Sequence, residues 1–166
     1  LTLSQIDDAL MLQFDSLIHL NLQNNSITEI KISVGDSRFT PILQRYADTT
    51  TRKEGGLHLN GNPIKRFRIM AETRKKMVDE WIEIYLSLSN SVVALEFAGC
   101  GISNNQLHTI GAVRGTRMHL KELDLSGGKI TDMNILSTFI HLEALSLSTS
   151  PITDFSGLKY LLKLKR

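Results

Sequence analysis

The chain spells isoleucine, threonine, an acid and an apolar residue three times, in NNSITEIKI at 24–32, GGKITDMNIL at 127–136 and TSPITDFSGL at 149–158. The last two stand twenty-two positions apart, and each follows a stretch in which leucines alternate with polar residues. Self-similarity at this spacing restricts the fold strongly. A unit that short cannot bury its own apolar face and has to stack against copies of itself.

Aligning the chain on its leucines gives five segments. The first holds Leu17, Leu20, Leu22, Asn25 and Ile27, and the second Glu54, Leu57, Leu59, Asn62 and Ile64. The third holds Val92, Leu95, Phe97, Cys100 and Ile102, the fourth Leu120, Leu123, Leu125, Gly128 and Ile130, and the fifth Leu142, Leu145, Leu147, Ser150 and Ile152. Apolar residues two apart point to one side of a strand while the residue between them faces out. Asn25, Asn62 and Cys100 then fall at a turn, with Gly128 and Ser150 in the same place as weaker matches, and Cys100 there reads as a buried structural thiol. The glycine pairs Gly55-Gly56 and Gly127-Gly128 read as turn residues. The isoleucine after the turn re-enters the core, and the Thr-Asp or Thr-Glu behind it offers an oxygen to the first backbone amides of a return segment.

This arrangement resembles the leucine-rich repeat, whose pattern is L-x-x-L-x-L-x-x-N/C-x-L. The resemblance implies an α/β fold: a leucine-rich-repeat solenoid with parallel strands on the concave face and helices or irregular returns on the convex face. Corresponding leucines are separated by 37, 38, 28 and 22 residues, which mixes ribonuclease-inhibitor-like units with a short 22-residue unit. Leu20, Leu57, Leu95, Leu123 and Leu145 should form one internal column. Residues 1–166 read as a single domain, cut at both ends from a longer array: Leu1-Thr2-Leu3 resembles a strand without its first half, and a further L-x-L is due after Arg166. Met70, Met77, Trp81, Ile84, Tyr85 and Leu88 recur on one helical face, which predicts a helix within 70–89; 39–50 is a second candidate, with Pro41 near its start.

With 42% apolar residues and three prolines in 166, the chain can bury a substantial core. No apolar run reaches the roughly 18 residues needed to cross a bilayer, and the first residues lack a secretory signal, so no membrane partner is expected. A single cysteine, Cys100, favours a reducing, intracellular setting, cytoplasmic or nuclear. A net charge of +2 is too small to imply nucleic acid. Six basic residues do crowd into 65–76 with one acid, Glu72. That window reads as the solvated start of the convex helix, with RNA contact as the minority reading.

Parallel stacking turns equivalent positions into lateral rows about 4.8 Å apart. The outward residue of each L-x-L gives Asn21, His58, Glu96, Asp124 and Ser146, and the row before it brings in Glu122. Glu96, Glu122 and Asp124 should therefore cluster, at a cost of a few tenths of a kcal/mol in like-charge repulsion. An acidic patch of that kind suits a basic segment of another protein. His58 beside carboxylates also invites acid–base or metal chemistry, but an open strand face excludes no water and offers no nucleophile. No phosphate-binding, dinucleotide or nucleophile-elbow motif occurs, nor any metal-ligand spacing. The sequence thus predicts no catalytic residues, no cofactor and no metal. The expected function is a non-enzymatic scaffold that binds a protein through Asn21, His58, Glu96, Glu122, Asp124 and Ser146. Resemblance to other leucine-rich proteins leaves two alternatives: a ribonucleoprotein component touching RNA or an RNA-binding protein, and a regulator of a GTPase or of actin assembly.

Overall fold

The computed structural model describes residues 3–11, 19–33, 56–70 and 78–166. Among the described residues eight short strands form two open sheets: β1 Gln5–Asp7, β2 His19–Asn21, β3 Glu29–Ser33, β4 Gly56–His58, β5 Arg66–Met70, β6 Ala94–Glu96, β7 Glu122–Asp124 and β8 Ala144–Ser146. Every pairing is parallel. Six strands run in the order β1-β3-β5-β6-β7-β8, while β2 and β4 pair with each other in a sheet of their own.

The expected column of five leucines therefore divides. Leu20 lies opposite Leu57 in the small sheet. The column of the large sheet is Ile6, Ile30, Phe67, Leu95, Leu123 and Leu145. The reason is local: EIKIS and RFRIM alternate buried β-branched or aromatic residues with charged ones, the pattern of a half-buried strand. Ile30, Ile32, Phe67 and Ile69 are all fully buried. The repeat that stacks is thus Ile27-Ile30-Ile32, Ile64-Phe67-Ile69, Val92-Leu95-Phe97, Leu120-Leu123-Leu125 and Leu142-Leu145-Leu147. Backbone bonds carry this register ahead of each strand, from Thr28 to Ser4, Lys65 to Thr28, Val93 to Lys65, Lys121 to Val93, Glu143 to Lys121 and Lys165 to Glu143 at 2.7–2.9 Å. At the first coil the strand is Gln5–Asp7, centred on buried Ile6; Leu1 and Thr2 of the expected Leu1–Leu3 strand lie outside the described residues.

The small sheet is closed off by Asn62. Its Oδ1 accepts from the Ile27 amide at 3.1 Å, and its Nδ2 donates to the carbonyls of Leu22 and Leu59 at 2.7 Å each. Buried backbone groups at the turn of both coils are satisfied by this one side chain. Cys100 fills the corresponding turn of β6 as a buried thiol, with Sγ 3.4 Å from the Ile69 carbonyl oxygen. Gly56 sits within β4 and is not a turn residue, whereas Gly127 lies in a turn with φ +71°.

The described returns that cover the large sheet pass from helices to 3₁₀ turns toward β8. Helix α1 spans Asp8–Met11, α2 Val78–Leu88, α3 Asn104–Ala112 and α4 Arg114–His119, followed by 3₁₀ turns at Met133–Thr138 and Ser156–Tyr160. Trp81, Ile84, Tyr85 and Leu88 form the buried stripe of α2, as their spacing predicts. Met70 instead ends β5 and is exposed, while Met77 and the candidate helix at 39–50 lie outside the described residues. Phe67 is the hub of the core, with ring centroids of Trp81, Tyr85 and Phe97 at 6.2, 5.7 and 6.1 Å in edge-on or tilted geometry. The Tyr85 hydroxyl bonds Thr116 Oγ1 at 2.7 Å, and burial pushes its pKa up.

Two of the three Ile-Thr-acid echoes start returns. Asp132 Oδ1 accepts from the Asn134 amide and Asp154 Oδ1 from Ser156, each at 2.8 Å. The third does not: Glu29 opens β3, because the alternation of Ile30 and Ile32 carries the chain straight on as a strand.

Candidate interaction face

One side of the six-stranded sheet is covered by the returns; the other carries two rows of outward side chains. The registers give Gln5, Glu29, Arg66, Ala94, Glu122 and Ala144 in one row, and Asp7, Lys31, Arg68, Glu96, Asp124 and Ser146 in the next. Arg166 extends the first row, since the Leu145 amide donates to its carbonyl. Four of the six residues expected in a site, Glu96, Glu122, Asp124 and Ser146, come together here. Around them lies a depression of about 300 Å³ that Ala144 and Arg166 also line.

Asn21 and His58 do not join them. They face each other in register on the β2–β4 sheet. They directly follow Leu20 and Leu57, which the alternating runs at 29–33 and 66–70 displace from the large sheet. The same displacement moves the basic window: Arg66–Met70 is strand β5, not the start of a helix, and 71–77 lies outside the described residues.

That relocation changes the electrostatics of the face. Arg68 Nε stands 2.8 Å from Glu96 Oε1, and 3.5 Å from Glu29 Oε1, which is shielded from solvent and makes no hydrogen bond. Arg66 approaches Glu96 at 3.8 Å and Glu122 at 3.7 Å. Arg166 reaches the other oxygen of Glu122 at 3.8 Å. Glu122 therefore sits between two guanidiniums, each reaching it from two strands away. The residues they cross are Ala94 and Ala144, the small positions of the row; Ala94 is buried beneath its bridge. The like charges expected to repel are interleaved with cations supplied by the chain itself, so the face is a mixed-charge lattice rather than an acidic patch.

The Arg68 and Glu96 side chains are 31% and 26% exposed, which places their pair between a solvated surface bridge and a desolvated one. A double-mutant cycle on Arg68 and Glu96, read by urea unfolding, is expected to give a coupling of about 1 kcal/mol that shrinks with added salt. A coupling near zero would mean that the two side chains are independent.

Toward β8 the row that holds Asp124 and Ser146 carries no cation. Asp124 Oδ1 accepts from the Ser126 amide at 2.8 Å, and the Ser126 and Ser146 hydroxyls bond at 2.6 Å. Along the adjoining rung Glu143 bridges Lys165 at 2.6 Å and Lys121 at 3.3 Å, and these lysines hold its carboxyl below the usual glutamate range. Among the described residues no group of three or more His, Cys, Asp or Glu side chains is placed to hold a metal ion. No described helix is long and apolar enough to cross a membrane.

Residues 16–36 match the Leucine Rich Repeat family model. The matched segment contains β2, the turn at Asn25 and all of β3, which is the stretch where two strand-forming runs follow one another. The mixed α/β architecture with its parallel sheet fits a leucine-rich-repeat-like fold. Comparison with curated proteins gives no match. Sequence reasoning missed Arg66, Arg68 and Arg166 as members of the face. The signal for the first two was present in RFRIM, where charged and buried residues alternate with period two.

Proposed function

We propose that the chain is a protein-interaction module of the leucine-rich-repeat kind, which binds rather than catalyses. Its parallel coils would continue as a solenoid whose open strand face receives the partner. Leucine-rich repeats commonly serve as protein-interaction modules, and stacked repeats present extended binding surfaces on their strands. The observation that carries the reading is the convergence of Glu96, Glu122, Asp124 and Ser146 around one depression on the uncovered face, with Arg166 at its edge.

The lattice refines the expected partner. Arg66 and Arg68 already balance Glu96 and Glu122, so Asp124 and Ser146 are the groups with the most capacity for a new contact. A partner would engage Asp124 through a lysine or arginine and meet the lattice with charges of both signs, gaining register and association rate from complementarity. The RNA reading loses support, because two of the six cations that motivated it are committed to carboxylates within the sheet. The GTPase and actin alternatives gain no residue from the structure.

The test is affinity capture with the intact chain and with a Glu96→Lys/Asp124→Lys variant, followed by identification of the retained proteins. We expect one or more proteins to be held by the parent chain and lost from the variant while far-UV circular dichroism stays the same. Equal recovery on both, with the fold retained, removes this face as the binding surface.

A further inference from the structure

We propose a second docking site, in the groove between the C-terminal end of α2 and helix α4, which takes an acidic segment of a partner protein anchored by one apolar side chain. The groove is set by a close crossing of backbone. A Cβ on Gly115 would meet Asn90 Oδ1 and Ser89 Oγ at 2.7 Å and the Ser89 carbonyl carbon at 2.8 Å, so only glycine lets α4 lie this near the end of α2. Beside the crossing opens a depression of about 710 Å³, within the range of pockets that hold a ligand-sized group.

Its floor and rim differ in chemistry. Leu86 and Val113 are half-buried and Met118 is 49% exposed, so the lining offers apolar surface that includes an adaptable thioether. Arg114 and His119 stand on the rim, both exposed. Helix α4 carries no acid. Arg117 turns away, donating to the carbonyls of Gly111 at 3.2 Å and Ala112 at 2.7 Å. Among the described residues the ion pairs engage Arg66, Arg68, Lys121, Lys165 and Arg166, and leave Arg114 and His119 without a carboxylate partner.

The Arg114 guanidinium and the His119 imidazole, each with an N–H that can donate to a carboxylate, stand beside an apolar floor and select their ligand by charge and by shape. Carboxylates on either side of a leucine or phenylalanine would reach Arg114 and His119 while the apolar group covers Met118. A basic segment would be repelled. A nucleic acid would need a longer run of cations to follow its phosphates and has no use for the apolar surface. None of the lining residues lies on a strand, so the site is independent of the strand face.

The probe is a set of dye-labelled peptides with one leucine or phenylalanine flanked by Asp and Glu, titrated with the full chain and followed by fluorescence anisotropy and amide NMR shifts. We expect saturable, salt-weakened binding with shifts at Leu86–Asn90 and Val113–His119. Arg114→Glu and Met118→Ser should each weaken it by about tenfold. Both side chains are exposed, so the fold should survive; should a variant fail to fold, peptides with Lys and Arg in place of the acids give the same test on the parent chain and should not bind. Absence of saturable binding, shifts confined to other residues, or equal binding by the basic peptides or by polyuridylate overturns the proposal.

Discussion

Replacing Phe67 by alanine is expected to destabilise the fold by about 3–5 kcal/mol, the range for removing a large aromatic from a packed core. The ring is fully buried, occupies the central column between Ile30 and Leu95, and touches three other aromatic rings. Edge-on aromatic contacts add to the area lost, and the cavity would open where α2 packs on the sheet. The midpoint of urea unfolding measures this directly. Were residues 65–70 a solvated helix start, the same substitution would cost under about 1 kcal/mol. The experiment therefore separates the two registers as well as testing the core.

Asn62→Ala should cost about 2–3 kcal/mol. The Ile27 amide loses its partner in a buried turn, while the carbonyls of Leu22 and Leu59 each lose one donor and keep another, from Asn25 Nδ2 and from the backbone amide of residue 62. Asn62→Asp tests the mechanism further. A carboxylate could still accept from Ile27 but would face two carbonyls with no proton to give, so it should be at least as damaging at neutral pH and milder in acid. Asn25→Ala is the control. That side chain is exposed and bonds only the nearby carbonyls of Leu22 and Gln23, and its loss should cost under about 1 kcal/mol. Equal effects at 25 and 62 in thermal or urea unfolding would show that the link between coils contributes nothing special.

The letters on which these positions were aligned account for what the sequence disclosed and what it hid. From Val92 onward each coil holds one leucine-bearing alternation, so Leu95, Leu123 and Leu145 could be superposed by inspection and the proximity of Glu96, Glu122 and Asp124 follows. The earlier coils hold two alternations apiece, ten residues apart. Leu20 and Leu57 resemble the later repeats more closely, yet Ile30 and Phe67 join the large sheet. Leucine content ranked the runs in one order; β-branched and aromatic content, together with charged residues between, ranks them in the other. Asn21 and His58 were misplaced for that reason, and the guanidiniums of the face were hidden for the same one. A neighbouring miss is smaller: Ser103 and Gln106 form a capping box at the start of α3, a spacing that the sequence shows plainly.

The bridges over Ala94 and Ala144 carry a consequence for how the sheet comes apart. In a stack of parallel strands each member ordinarily senses only the two beside it, so ends can peel away one at a time. Arg66 and Glu122 tie β5 to β7, which share no backbone bond. Arg166 and Glu122 likewise reach past β8. Lifting the last strand then strains a tether anchored well inside, and a single methyl-sized side chain at each crossing is what allows the tether to lie flat. Fraying at this end should accordingly be coupled weakly across coils, by less than about 1 kcal/mol per bridge, with Glu122 as the partner that both bridges share.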